Sequence, residues 1–151
     1  MEKKIRFVGI SLLVISTIWM GCSMTKVKPT TITEHNVCLL KGKWEGSSTF
    51  GSVANKIQAS TTMEIYNDTL PLKGKLTIHN APPAVPNLSA AKPNTGDVTI
   101  EFRDGNINGS GNFVGKQGEK HFELTLMIGP KLKMDGWIYY ASLNPSVTLS
   151  R

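Results

Sequence analysis

The chain has 151 residues, of which 40% are hydrophobic and 7% are aromatic. This length suffices for one small domain and is too short for two independent hydrophobic cores. The formal net charge is +6, but the Lys and Arg residues are spread along the chain and form no basic block. The composition therefore argues against a nucleic-acid-binding protein.

The N-terminal residues have the pattern of an export signal. Residues 2–6 (EKKIR) are mostly basic, and residues 7–20 contain no charge. This uncharged run is shorter than the roughly 20 residues that a membrane-spanning helix needs, but it fits the hydrophobic region of a signal peptide. Gly21 and Cys22 follow it directly. The pattern predicts export across a membrane.

Gly21-Cys22 resembles the end of the lipobox in bacterial lipoprotein precursors, where a small residue precedes Cys. The resemblance implies that Cys22 is acylated, with palmitate among the usual chains, and becomes the new N-terminus. Several acyl chains give stable anchoring, since each buried CH₂ contributes about 0.8 kcal/mol. Ser23 resembles the sorting pattern for the outer membrane, which implies a location in the cell envelope, on its periplasmic side. Ordinary secretion after cleavage at another small residue is the alternative.

The expected organisation has three parts. A signal peptide covers 1–21, an acylated N-terminus and tether cover 22–39, and a β-barrel domain covers 40–151. The tether is polar and Thr-rich, which is typical of an extended linker. Cys38 is then an odd thiol in an oxidising compartment, and we interpret it as a small, half-buried apolar residue. A disulfide between Cys22 and Cys38 is the alternative if Cys22 is not acylated.

From Gly42 onward, apolar and polar residues alternate with a period of two, and no segment has a convincing helical periodicity. One apolar and one polar face are typical of an antiparallel sheet. The fold class is therefore all-β, an up-and-down antiparallel meander of seven or eight strands. The predicted strands are 41–50, 56–66, 71–79, 97–103, 106–114, 120–128 and 132–141, with 146–150 as the eighth.

Turn signals set the expected register, because cross-strand partners must point to the same side of the sheet. We place tight turns at Asp68-Thr69, Asp104-Gly105 and Gln117-Gly118, and a three-residue loop at 129–131. With these turns, every apolar set stays on one face. The predicted partners are Ile65 with Leu72, Phe102 with Ile107, Phe113 with Phe122, Lys116 with Glu119, and Ile128 with Leu132.

Recurrent glycines on the apolar face favour a closed barrel over an open sandwich, which is the alternative. Glycine permits strong coiling and close strand approach, and closure removes exposed strand edges. Gly42-Lys43-Trp44 resembles the Gly-x-Trp signature in the first strand of lipocalins and related calycins. The resemblance implies a calycin-like barrel in which Trp44 plugs the closed end. An ordinary core position for Trp44 is the alternative.

The sequence offers little catalytic chemistry. His35, His79 and His121 have no metal-ligand spacing around them, and we interpret each as a surface strand or tether residue. The glycines of 109–115 have the wrong spacing for a nucleotide-binding loop. We therefore predict no catalytic residue, no metal and no cofactor, and expect that the protein is not an enzyme.

The leading hypothesis is a lipid-anchored envelope protein whose barrel binds a small apolar or amphipathic ligand. In a meander, alternate connections share an end, so the long Pro/Ala-rich connection 80–96 lies opposite the tether and Trp44. Connections of that length are commonly functional or disordered, and we expect this one to be a lid over an apolar mouth, although a disordered loop over a closed core is the alternative. The expected rim comprises Phe50, Ile78, Val98, Phe113, Phe122 and Tyr140.

An alternative function is protein–protein interaction, for example as an envelope assembly factor or an inhibitor of a periplasmic enzyme, with a fully packed barrel. Strict alternation puts Trp137 and Tyr139 on the outer face, where exposed aromatic residues mark partner surfaces. A bulge near Gly136 that turns Trp137 inward is the competing interpretation.

Overall fold

The computed structural model describes residues 28–51, 56–83, 96–141 and 143–151. Cys22 and the signal-peptide prediction lie outside these residues. The described part consists of β-strands and one short 3₁₀ helix, Val37–Leu40. The strands are β1 (Lys28–Thr30), β2 (Gly42–Phe50), β3 (Ile57–Ile65), β4 (Leu72–Ala81), β5 (Gly96–Ile107), β6 (Phe113–Gln117), β7 (Lys120–Ile128), β8 (Lys133–Tyr139) and β9 (Ser146–Ser150).

Strands β2 to β9 form an eight-stranded antiparallel meander that closes into a barrel. Each strand pairs with the next along the chain, and β9 pairs back onto β2. The predicted all-β barrel is therefore confirmed, and the structure is not an open sandwich. The closed barrel is compatible with a calycin-like domain.

The inward faces follow the alternation predicted from the sequence. The β7–β8 register is confirmed, with Leu126 opposite Met134 and Phe122 opposite Ile138. At Gly136, a Cβ atom would collide with the backbone carbonyl of Glu123 on the neighbouring strand. Glycine at such a position allows the strands to approach and coil tightly enough to close a small barrel.

Two predicted hairpins are displaced by two residues. Ile65 pairs with Gly74 rather than Leu72, and Phe122 pairs with Gly115 rather than Phe113. A two-residue shift leaves every side chain on its predicted face, because the side-chain period of a strand is two. The predicted facing of Lys116 and Glu119 is wrong for the same reason.

Interactions that the alternation of apolar and polar residues does not encode cause these two-residue shifts. In the β3–β4 connection, Asn67 donates to the carbonyls of Thr69 and Pro71 and accepts from the N–H of Lys73, which stabilises a longer loop. In the β6–β7 turn, Gly118 takes φ +61°. The left-handed position thus falls on the first turn residue, and the turn is Gly118-Glu119.

The predicted turn at Asp104-Gly105 is wrong, because β5 continues to Ile107. The register between β4 and β5 shifts there, with Leu72 opposite Gly105 but Gly74 opposite Phe102. The extra residue is a β-bulge, which restores the inward direction beyond it. The chain turns instead at 108–112, so the predicted strand 106–114 is divided between β5 and β6.

Phe102 and Phe113 lie on the same face of the sheet, as the parity of the sequence predicts. Their ring centroids are 5.5 Å apart, and each ring also packs edge-to-face against Phe122, at 5.2 Å and 5.1 Å. All three rings are fully buried. They form an aromatic cluster between β5, β6 and β7, and it is a major part of the core.

The described part of the predicted tether packs against the barrel. Strand β1 pairs with β7, with Lys28 opposite Ile128, and Ile32, Val37 and Leu40 are buried. Because β6 begins only at Phe113, the last residues of β7 would otherwise have an unpaired edge, and β1 occupies it. Cys38, predicted to be half-buried, is an exposed free thiol.

Trp44 closes one end of the barrel, as its resemblance to the calycin signature implies. Its side chain is fully buried, and its indole N–H donates to the carbonyl of Leu40 at 2.8 Å. The guanidinium of Arg151 lies 5.0 Å from the ring centroid and donates to the carbonyl of Lys41. We call this the Trp44 end. The opposite Phe50 end carries the connections that follow β2, β4, β6 and β8.

Candidate functional site

The Phe50 end contains most of the predicted rim. Phe50, Ile78 and Tyr140 are buried there, and Val98 is half-buried against the core. Phe122 lies two residues into β7, from the same end. Phe113 is the exception, because it is the first residue of β6 after the 108–112 turn and therefore lies toward the Trp44 end. The misplaced turn at Asp104-Gly105 caused this error.

Small side chains form part of the inner wall near the Phe50 end. Ser48, Ala59, Thr61 and Val147 all point inward from β2, β3 and β9 and are buried. Phe50 and Tyr140 pack edge-to-face above them, with ring centroids 6.3 Å apart. This part of the wall therefore consists of small side chains, and two aromatic rings cover it.

Two hydroxyl groups inside this wall satisfy each other. Thr61 Oγ1 lies 2.7 Å from Ser48 Oγ and 3.3 Å from the carbonyl of Ala59. Each hydroxyl has one proton to donate. Thr61 donates to Ala59, so Ser48 donates to Thr61. The lone pairs of Ser48 stay available to a further donor.

The Tyr140 hydroxyl has no such partner. It is buried and makes no hydrogen bond to any described residue. Burial raises the pKa of Tyr140 to about 12, so the side chain is a neutral O–H donor at neutral pH. An unsatisfied buried polar group costs about 1–3 kcal/mol. A hydrogen-bond acceptor at this point would remove that cost.

A hydrogen-bonded row on the outer face fixes the start of the long connection after β4. Asp97 accepts from the backbone N–H of Asn80 at 3.1 Å and contacts His79 Nδ1 at 3.0 Å, and His79 Nε2 lies 3.1 Å from the Thr62 hydroxyl. The Asn80 N–H, and then His79, lower the pKa of Asp97. Residues 84–95 of the predicted lid lie outside the described residues.

The order hydroxyl, imidazole and carboxylate is that of a hydrolase triad. Here the row lies on the outside of the sheet, where the strand N–H groups are committed to the ladder and form no oxyanion hole. Asn80 has φ +51°, and the β4–β5 register shifts beside it. The row therefore stabilises the bulge at Asn80, where the backbone is strained. Sequence analysis classified His79 as a surface residue, because alternation alone does not show the bulge that brings it to Asp97.

Trp137 lies on the outside of the barrel with 51% of its surface exposed. The inward-turning bulge is therefore not present at this position. Tyr139 is half-buried, and its ring stacks on His121 with centroids 4.5 Å apart and an interplanar angle of 13°. Both predicted partner-surface residues thus lie on the outer face.

An open cleft of about 670 Å³ lies beside Trp137, over β7, β8 and β9. Glu123 lines it and accepts from the side-chain amides of Asn112 and Asn108, at 2.8 Å and 2.7 Å. These bonds lower the pKa of Glu123. Asp135 Oδ1 is buried in the same region and has no hydrogen-bond partner among the residues that the structure describes. Sequence analysis did not single out Asp135, because its lack of a partner depends on three neighbouring strands.

In the described part of the chain, no group of three or more His, Cys, Asp or Glu side chains could hold a metal ion. No helix of those residues is long and apolar enough to cross a membrane. No protein-family model matches this chain, and neither the curated proteins nor the solved structures contain a match. The proposals below therefore rest on the barrel geometry and on the sequence patterns.

Proposed function

We propose that this protein is a lipid-anchored, non-enzymatic binding protein of the cell envelope that holds a small amphipathic ligand at the Phe50 end. The observation that carries the proposal is the buried Tyr140 hydroxyl, which has no hydrogen-bond partner among the described residues and lies beside apolar side chains. Native proteins rarely leave such a group unsatisfied. A ligand acceptor supplies the missing partner.

The surrounding side chains define the chemistry of the ligand. Phe50, Ile78 and Val98 offer an apolar surface, and Tyr140 offers one neutral donor. Ser48 and Ala59 add small, buried side chains to the inner wall beside this end. A carbonyl, ester or carboxylate attached to an apolar body matches this set, because the acceptor pairs with Tyr140 and the rest is buried against apolar groups.

The proposed anchor determines how the mouth is presented. Strand β1 begins opposite Ile128 at the Trp44 end, so the chain from Cys22 reaches the barrel from that side. The Phe50 end then faces away from the membrane that holds the acyl chains. A ligand can reach the mouth without passing between the barrel and the bilayer.

Native mass spectrometry of protein purified gently from its own membrane tests the proposal. We expect a co-purifying small amphipathic molecule in the parent protein and its loss in Val98→Trp, which fills the mouth. Gln58→Trp is the matched control, because Gln58 is exposed on the outer face of β3 at the same end of the barrel. Identical spectra for the parent and Val98→Trp would contradict the proposal.

The Trp137 cleft supports a second candidate function, which is the binding of an envelope protein. Trp137 is exposed, and the carboxylates of Asp135 and Glu123 lie beside it. The buried Oδ1 of Asp135 has no hydrogen-bond partner among the described residues. This combination suits a basic side chain of a partner. We expect Trp137→Ala to abolish a stoichiometric protein complex without changing ligand content at the Phe50 end. Retention of the complex in Trp137→Ala would exclude this surface.

A further inference from the structure

Three of the large apolar side chains that are exposed lie at the Trp44 end. Tyr66 and Leu70 belong to the β3–β4 connection, and Ile128 is the last residue of β7; their exposed fractions are 53%, 36% and 40%. Ile57 lies at the opposite end and Trp137 on the side. Single exposed apolar residues are ordinary, but a group at one end of a barrel is typical of a contact surface.

Direct contacts join the connections at this end into one surface. Lys41 Nζ lies 3.1 Å from the Asp68 carboxylate in the β3–β4 connection. Arg151 donates from its guanidinium to the carbonyl of Lys41 and from its backbone N–H to the carbonyl of Leu132 at 3.1 Å. The β3–β4 and β7–β8 connections are therefore held together across the end.

The polypeptide also reaches the barrel at this end. Lys28 lies opposite Ile128, and it is six positions along the chain from Cys22. A fully extended chain of that length spans at most about 22 Å. If Cys22 is acylated, as the proposed function holds, the Trp44 end lies within about that distance of the membrane.

A cleft beside this surface carries two basic side chains. It has a volume of about 400 Å³ and is lined by Tyr66, Lys73 and Arg103 together with Glu101. Glu101 is opposite Lys75 on the neighbouring strand. Within the described residues, neither Lys73 nor Arg103 forms an ion pair. The bulge in β5 lies opposite Lys73 and brings Arg103 beside it.

We propose that the Trp44 end docks onto an anionic phospholipid surface, with Lys73 and Arg103 binding a headgroup phosphate. This inference rests on the lipid anchor of the proposed function. Arg and Lys pair strongly with phosphate, and basic residues are attracted to anionic leaflets. Tyr66, Leu70 and Ile128 enter the interfacial region, where aromatic and apolar side chains are stabilised.

Depth-dependent quenching tests the docking. The acylated protein is reconstituted in phosphatidylethanolamine/phosphatidylglycerol vesicles that contain brominated lipid, in a Trp137→Phe background that removes the exposed native Trp. Both reporters share the emission of Trp44, and beyond it we expect strong quenching at Leu70→Trp and none at Ile57→Trp, its matched control at the opposite end. Equal quenching at the two positions overturns the docking.

The charge requirement is tested in the Leu70→Trp reporter. Lys73→Gln combined with Arg103→Gln removes two positive charges, each worth about 1 kcal/mol near an anionic surface, so the docked-to-undocked ratio falls about 30-fold. Lys116→Gln combined with Lys120→Gln, at the Phe50 end, is the matched control and leaves the ratio unchanged. An equal effect of the two double variants overturns the headgroup site.

Three further outcomes identify what has failed. Release of the parent protein from the vesicles shows that the anchor is absent, and it overturns the proposed lipid attachment together with the docking. Protection of Leu70→Trp from an aqueous quencher without quenching by brominated lipid shows a protein occupant, and it overturns the lipid assignment while leaving the anchor intact. Quenching in phosphatidylethanolamine alone, equal to that with phosphatidylglycerol, overturns the anionic headgroup.

Discussion

Tyr140→Phe should change stability and ligand affinity in opposite directions. The substitution removes one hydroxyl and keeps the ring that packs against Phe50. That hydroxyl is buried and has no hydrogen-bond partner in the part of the chain that the structure describes, at a cost of about 1–3 kcal/mol. We therefore expect the free energy of unfolding of ligand-free Tyr140→Phe to rise by about 1–2 kcal/mol.

In contrast to its effect on stability, Tyr140→Phe should lower the affinity for the ligand. A hydrogen bond from a neutral donor to a charged acceptor contributes about 1.5–3 kcal/mol, so Tyr140→Phe should weaken the affinity for a carboxylate ligand by about 12- to 160-fold. For a neutral carbonyl acceptor the net contribution is about 0.5–1.5 kcal/mol, so the loss is only about 2- to 12-fold. The size of the loss thus reports the charge of the acceptor.

Urea unfolding of delipidated protein gives the stability term, and titration with a fluorescent fatty acid gives the affinity term. Tyr139→Phe is the matched control, because its ring stacks on His121 outside the barrel and its hydroxyl does not face the mouth. A Tyr140→Phe protein that is less stable than the parent when free of ligand would refute the reasoning, because the hydroxyl would then have a partner.

Three other predictions concern the anchor, the core and the pH dependence. Cys22→Ser should release the protein from membranes or block its maturation, and unchanged membrane fractionation would rule out acylation. Phe122→Ala should lower the free energy of unfolding by about 3–5 kcal/mol, since a fully buried ring is lost from the aromatic cluster; Trp137→Ala, on the outer face, should change it by less than about 0.5 kcal/mol apart from partner binding. Similar losses in the two variants would contradict the assigned burial. Burial raises the pKa of Tyr140 to about 12 in the folded state, so the unfolded state loses this proton at lower pH. With respect to this group, the free energy of unfolding should be constant below pH 10 and should fall between pH 10 and about 12. The decline should be smaller in Tyr140→Phe, and an identical alkaline profile in parent and variant would count against a buried hydroxyl.

Alternation by itself determined which side chains face the core. Phe102, Phe113 and Phe122 meet inside the barrel as parity requires, although two of the predicted hairpins are displaced. The reason is physical: a displacement by two residues preserves the face, so the hydrophobic pattern constrains facing strongly and exact pairing weakly. Trp44 is fully buried, as both the resemblance to the calycin signature and an ordinary core position imply.

Local turn signals were less reliable. Asp104-Gly105 has the composition of a two-residue hairpin turn, but in the fold it belongs to a bulge within β5. Pairing with β4 extends to Gly105, which lies opposite Leu72, and a turn at 104–105 would have forfeited that pair. The chain turns at 108–112 instead, where Gly111 takes φ +77° and the Asn108 side chain accepts two backbone N–H groups.

Only the tertiary structure decided the features on which the proposals depend. The packing of Lys28–Thr30 against β7 follows from the short length of β6, which leaves an edge that a local pattern does not show. The contact of His79 with Asp97 and the approach of Arg103 to Lys73 each join residues that are far apart in the chain. The lack of a partner for the Tyr140 hydroxyl among the described residues likewise depends on the strands around it. Hydrogen-bond satisfaction and charge pairing depend on which strands become neighbours, so alternation assigns these side chains to a face but cannot name their partners.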